Sequence, residues 1–361
     1  MKLKILILTL ILIILATGCQ AAALFNPDST KPEIITTVNP TEKCSMPTEL
    51  RMRIYDSRKL EITGKGKKAF TWKSSDPDTA EVSSDGVVTA KKPGKATITA
   101  ECKTTKLFCD VKIRSLMIAH RGFSSEYPEN TRESFEAAFE RGFDGIECDV
   151  WDCKGAMMIN HDYTTERTSG KFEYIWNVKK KDRKKYPVSE VGHLDKTGGK
   201  APLMPTLKET CEIVSKHNGY LLLHIKTKDS PHRTFTKKAA KKVISLLDQY
   251  NIRSKTLIFI YGKKTIGKFR KYDVKLGAFI TPKRKSEFKP TLEWCRDNKI
   301  GTLILSEMKI VNRYGEVDEL KSLADSFGRK IGIYRCNYKS QYEAFSDNGI
   351  PFVISDYYFA D

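Results

Sequence analysis

The pattern of apolar and polar positions falls into three regimes along the chain. It opens on an almost continuous apolar run, Ile5 to Ala16, preceded by Lys2 and Lys4. That run is too short for the about 20 residues a membrane-crossing helix needs, and it fits the apolar region of a signal peptide. From about 32 to 114 apolar and polar positions alternate in short runs: Phe70-Thr71-Trp72, Ala80-Glu81-Val82, Val87-Val88-Thr89 and Ala96-Thr97-Ile98-Thr99. Turn residues separate them at Ser74-Ser75-Asp76-Pro77, Ser84-Asp85-Gly86 and Pro93-Gly94. A period of two broken by turn chemistry predicts a small all-β sandwich, with Trp72 in its core.

Past Arg114 the pattern becomes strand and helix in alternation. Strand-like runs fall at Leu116 to Ala119, Gly145 to Val150, Tyr220 to Lys226 and Thr256 to Tyr261, then at Lys275 to Ile280, Thr302 to Ser306, Lys330 to Cys336 and Phe352 to Ser355. About eight such units predict a (β/α)8 TIM barrel, an α/β fold. Helical spacing appears between them, as at Thr206 to Lys216 and His232 to Tyr250. The first barrel helix is expected to start at an Asn130 N-cap answered by Glu133, burying Phe135, Ala138 and Phe139. Between the second and third strands the interval exceeds one crossover and holds a β-like piece, Met157 to Asp162, and a basic insertion ending near Met204.

Composition narrows the setting. Hydrophobic residues at 40% with 30% charged describe a globular chain, and 361 residues suit two domains. The net charge of +19 implies an anionic partner, with the densest cluster from Lys179 to Lys185. That cluster lacks interleaved aromatic platforms, and an exported chain seldom meets DNA, so lipid headgroups or phosphate polymers of a cell wall fit better than nucleic acid. Nine cysteines are compatible with disulfides outside the cytoplasm. No two cysteines form a CxxC pair and the nearest histidines lack finger-like spacing, which argues against a structural zinc site.

The candidate chemistry gathers at predicted strand ends. His120 and Arg121 follow the first strand, at the face where barrel enzymes place their active sites. Glu147 and Asp149 are two apart on the second strand, so both carboxylates face one side. Burying such a pair is costly without a cation, so it reads as a divalent metal site. His161 and Asp162 lie after the β-like piece. Two histidines, a carboxylate pair and an arginine supply the roles that phosphodiester cleavage requires.

These residues carry a resemblance. Ala119-His120-Arg121-Gly122, Pro128-Glu129-Asn130-Thr131, Phe135, Gly142, Ile146-Glu147, Asp149-Val150 and His161-Asp162 resemble, in order and spacing, the glycerophosphodiester phosphodiesterase family; Pro205-Thr206-Leu207, Glu209 and Ser355-Asp356-Tyr357 resemble its later landmarks. The resemblance covers 115–361 and implies hydrolysis of glycerophosphodiesters, or glycerol-phosphate polymers, to glycerol 3-phosphate and an alcohol on a barrel holding one divalent cation. It makes His120 and His161 the acid/base pair, Arg121 a phosphate grip and Lys226 a substrate contact. It makes Glu147 and Asp149 metal ligands and puts Tyr334 and Asn337 near the substrate. The family has a glutamate where this chain has His224, two residues before Lys226. An imidazole there shifts the expected ion from calcium or magnesium toward manganese or zinc. The competing expectation is a noncatalytic surface protein whose degenerate barrel holds anionic phosphate polymers. Residues 32–114 are similar to the bacterial immunoglobulin-like group 2 domain, which implies a spacer or adhesion role. Leu15-Ala16-Thr17-Gly18-Cys19 resembles a lipoprotein lipobox. It implies a signal peptide at 1–18, lipidation of Cys19, a tether at 19–31 and a lipid-anchored location outside the cytoplasm.

Overall fold

The computed structural model describes residues 34–35, 44–64, 69–103, 105–227, 235–260, 263–280, 282, 284–307 and 317–359. The leader, the tether, Cys19 and the expected helix start at His232 lie outside the described residues. Among the described residues no helix is long and apolar enough to cross a membrane.

The alternating segment forms two facing β layers. One sheet orders Ile34–Ile35, Glu49–Arg53, Thr105–Arg114, Gly94–Cys102 and Thr71–Ser74, and another orders Ser57–Lys59, Val87–Ala90 and Ala80–Val82. Thr105–Arg114 shows why: Leu107, Cys109, Val111 and Ile113 turn inward while the residues between them face solvent. Gly86 has φ +82, and a Cβ there would come 2.6 Å from the Trp72 ring, so the turn needs glycine twice over. Trp72 itself packs, partly buried, against this core.

Eight parallel strands close the second unit: β1 Leu116–Ala119, β2 Gly145–Cys153, β3 Tyr220–Ile225, β4 Thr256–Ile260, β5 Lys275–Phe279, β6 Thr302–Ser306, β7 Lys330–Tyr334 and β8 Phe352–Ser355. Each pairs with the next, and β1 pairs with both β2 and β8, which makes the barrel. An antiparallel strand, Ala156–Ile159, extends β2 as a hairpin above the rim. The helices outside include α1 Arg132–Arg141, α2 Leu207–Lys216 and α3 Lys237–Gln249. Met117, Ala119, Cys148, Leu221 and Leu223 pack toward the helices. Their alternates, Leu116, Ile118, Leu222, Leu257, Ile304 and Ile354, fill the interior and form one cluster with the core of the small domain.

The small domain is therefore not held away from the barrel as a spacer. Only Ser115 separates its last strand from β1, and its core runs into the barrel floor. Tyr55 stands over the N-terminal strand ends, beside the Tyr220 ring, with its hydroxyl accepting from Lys330 Nζ at 2.9 Å. Asp144, buried just before β2, takes Arg114 at 2.6 Å, Arg53 at 3.2 Å and the Met117 N–H at 2.7 Å. Replacing it takes a buried carboxylate from two guanidiniums and the acceptor from the Met117 amide. Asp144→Ala is expected to lower the unfolding free energy by about 3 kcal/mol, read by urea denaturation.

The disulfide expectation is corrected: all eight described cysteines are free. Seven are buried, in both cores and beneath the insertion, where each serves as a small apolar side chain. Burial pushes the thiols of Cys109, Cys153 and Cys211 up to about 12, far from reactive thiolates.

Candidate active site

The site forms at the C-terminal ends of β1, β2, β3, β7 and β8. Parallel pairing sets Asp149 on β2 opposite His224 on β3, and the period of two puts Glu147 on the same face. Ligand atoms of Glu147, Asp149 and His224 all lie within 4.8 Å of one another, and all three residues are buried. The His224 Nδ1 lies 2.9 Å from Asp149 Oδ1, and its ring stacks on Phe259 at 4.6 Å between centroids. Lys226 Nζ is 3.4 Å from the same carboxylate oxygen.

The electrostatics divide the two carboxylates. Burial and the neighbouring Asp149 charge push the Glu147 carboxyl well above the usual range. For Asp149 burial acts upward too, but Lys226 and the His224 bond outweigh it and hold it well below. Burial brings His224 down to about 4 against the pull of Asp149, so its imidazole is neutral at pH 7. Two buried carboxylates and a neutral imidazole converging on one point fit a divalent cation, which would relieve the charge that burial penalises.

Arg121 is fixed by an unusual backbone. It has φ 56 and Gly122 follows at φ 77, left-handed conformations that the surroundings must hold. The Arg121 N–H donates to Glu147 Oε2 at 3.1 Å, and its carbonyl accepts from the Asn130 N–H at 2.8 Å. A Cβ on Gly122 would stand 2.8 Å from the Ser134 backbone. The Arg121 side chain then reaches Glu129, donating at 3.0 Å, with Nε 3.8 Å from Asp149.

Each candidate histidine has a carboxylate behind it. His120 Nδ1 lies 2.6 Å from Asp356 Oδ1, and Nε2 is 3.1 Å from the Tyr334 hydroxyl. Burial raises the Asp356 carboxyl, but the His120 bond and charge, with Asn337 and Arg335, bring it down to about 2. Burial lowers the His120 pKa, and Asp356 recovers only part of the shift. His161, partly exposed at the rim, has Nδ1 2.8 Å from Asp162 Oδ1. Arg167 donates to Asp162 and, through its two terminal nitrogens, to Glu129 at 2.7 and 3.1 Å. One guanidinium thus ties the loop that carries His161 to the one that carries Arg121.

The helix cap differs from the sequence expectation. The cap of α1 is Thr131, whose hydroxyl accepts from Ser134 N in a reciprocal capping box, and not Asn130 with Glu133. Asn130 stands at φ 54 and donates its side-chain amide to Asp149 Oδ2 at 3.0 Å, which makes it part of the site. The Tyr334 hydroxyl lies against His120, and Lys226 against Asp149, at the positions expected to line the substrate.

Residues 120–267 match the glycerophosphoryl diester phosphodiesterase family. That stretch is similar to the family. Residues 57–107 match the bacterial Ig-like domain, group 2. A glycerophosphodiester phosphodiesterase of Bacillus altitudinis is 30% identical over 156 residues, 43% of this chain and 61% of that protein. The chain therefore spans about three fifths of that relative's length. An uncharacterised protein of Mycoplasma genitalium is 28% identical over 66% of this chain and 93% of its own length. The solved phosphodiesterase of Oleispira antarctica, in complex with its product sn-glycerol-3-phosphate, superposes with a TM-score of 0.57 at 20% identity, covering 68% of this chain and 94% of that one. A glycerophosphodiester phosphodiesterase of Parabacteroides distasonis gives 0.53 at 17% identity over 67% of this chain and 93% of that one. Both likenesses describe the fold of the barrel.

Proposed function

We propose that the protein hydrolyses glycerophosphodiesters to glycerol 3-phosphate and an alcohol, working outside the cytoplasm on a lipid anchor at Cys19. The observation that carries the catalytic reading is the convergence of Glu147, Asp149 and His224 within 4.8 Å, beside Arg121 and a histidine backed by a carboxylate. The product seen in the Oleispira antarctica enzyme, and the names of the curated relatives, support the substrate class.

Glu147, Asp149 and His224 would hold a divalent cation, whose Lewis acidity lowers the pKa of a hydroxyl next to a phosphodiester. The chain supplies the rest. Arg121 draws the phosphate in, its backbone locked by Glu147 and Asn130. One histidine takes the proton from the glycerol hydroxyl as its oxygen bonds to phosphorus, and the other protonates the departing alkoxide as that P–O bond breaks. Water then opens the cyclic phosphate with the two roles exchanged. Asp356 and Asp162 hold the tautomers of His120 and His161 through their Nδ1 bonds. Lys226 offsets the Asp149 charge.

The test is release of glycerol 3-phosphate from glycerophosphocholine with a panel of divalent ions. Turnover is expected to be highest with manganese or zinc, because an imidazole replaces a third carboxylate. In His224→Glu the apparent affinity for magnesium or calcium should rise about tenfold, read by calorimetric titration alongside turnover. No turnover with any ion, together with retained binding of a glycerol-phosphate polymer, would replace this reading with a noncatalytic one.

A further inference from the structure

Of the seven large apolar side chains that stand exposed among the described residues, five crowd one end of the barrel: Tyr163, Phe172, Tyr174, Tyr338 and Tyr357. Tyr163 lies two residues past His161, and the segment with Phe172 and Tyr174 is bridged back to it through Thr164 and Tyr174. Tyr338 follows β7 and Tyr357 follows Asp356, so all five lie on segments leaving the C-terminal strand ends, the end that holds the site. They are not loose. The Phe172 ring stands edge-on to Tyr174 at 5.2 Å, and Tyr174 stacks at 4.8 Å on Trp176, which is buried in the satellite core with Trp151, Ile175 and Met204. Phe172 nonetheless remains 59% exposed and Tyr338 68%.

Exposed lysines lie beside this rim: Lys171, then Lys179, Lys180, Lys181, Lys184 and Lys185. The last five sit on or next to a short 3-10 turn at Lys180–Lys185, pinned where Arg183 clamps Glu209 at 2.7 and 3.0 Å in the first turn of α2. Asp182 pairs with Lys185, and Glu166, Glu173 and Glu190 are nearby in sequence, so the excess is positive but not unopposed. A soluble polyanion would satisfy the lysines and leave a solvent-exposed phenylalanine and four tyrosines unexplained. Rings with one apolar and one polar end, next to clustered lysines, suit the headgroup zone of a bilayer that carries negative charge.

We propose that this rim is a docking surface for a bilayer containing anionic lipid. The aromatic side chains enter the headgroup layer, the lysines meet lipid phosphates, and the barrel mouth faces the membrane. The proposal does not depend on the catalytic reading, and its test does not use turnover.

The full chain is mixed with vesicles of phosphatidylcholine alone or with about one third phosphatidylglycerol, and amide hydrogen exchange is followed. With the anionic vesicles, amides of 163–185 should exchange about threefold more slowly or better, while those of Thr105–Arg114 in the small domain stay unchanged. Phe172→Ser combined with Tyr338→Ser, the two most exposed of the rings, should remove that protection at an unchanged melting temperature. Because the N-terminal apolar run is present in parent and variant alike, the difference between them reports the rim. Protection that persists in the double variant overturns the proposal. So does equal protection by a soluble glycerol-phosphate polymer without vesicles, which would mark a polymer-binding surface, and so does no protection at all.

Discussion

Glu147→Gln is expected to lower kcat/KM for glycerophosphocholine about a thousandfold while the barrel stays folded. The change keeps the shape of the side chain and the acceptor for the Arg121 N–H, and removes one charge from the triad. The sign of the stability effect follows from linkage. Glu147 in the folded chain is raised well above its unfolded value near 4.3, so between those two values the folded state binds the extra proton and loses stability as pH rises. The raised Glu147 carboxyl thus burdens the fold as pH rises toward neutral, and the glutamine variant should melt no lower than the parent without added ions. A divalent ion should raise the melting temperature of the parent and leave the variant's unchanged. Full activity in the variant would mean that the cation sits elsewhere.

The second large effect belongs to His120. Its ring touches Asp356 through one nitrogen and the Tyr334 hydroxyl through the other, so His120→Ala removes a proton carrier and leaves two polar groups facing a hole. A fall of about a thousandfold in kcat is expected, at the upper part of what acid–base groups contribute. The pH profile gives a sharper check. Burial holds the His120 pKa below the ordinary 6.5, so the acid limb of kcat/KM in the parent should lie below that value and vanish from the residual activity of the variant. An acid limb that persists unchanged in the variant would assign it to another group.

Local rules carried most of the barrel. Runs such as Leu221-Leu222-Leu223 and Leu303-Ile304-Leu305 are apolar on both faces, which suits parallel strands covered by helices outside and packed side chains inside. Glu147 and Asp149 were legible for the same reason, since a pair of charges in such a run has no bland place to go. What sequence reading missed are partnerships across long separations: His120 and Asp356 are 236 residues apart, and Arg167 and Glu129 are 38 apart. Asn130 fails differently. Asn130 and Thr131 are both good caps by local preference, and the choice falls to Thr131 because Asn130 is turned toward Asp149. The docking of the small domain was illegible too, because Leu116, Ile118 and Leu222 alternate identically whatever covers them.

That docking turns the barrel into a vessel with a floor. With Leu116, Leu257 and Phe352 continuous with the sandwich core, one end is shut, so whatever enters the site has to leave by the opening through which it came in. A barrel severed at Ser115 would present those side chains to water and would clump, so the smallest portable unit is both halves together.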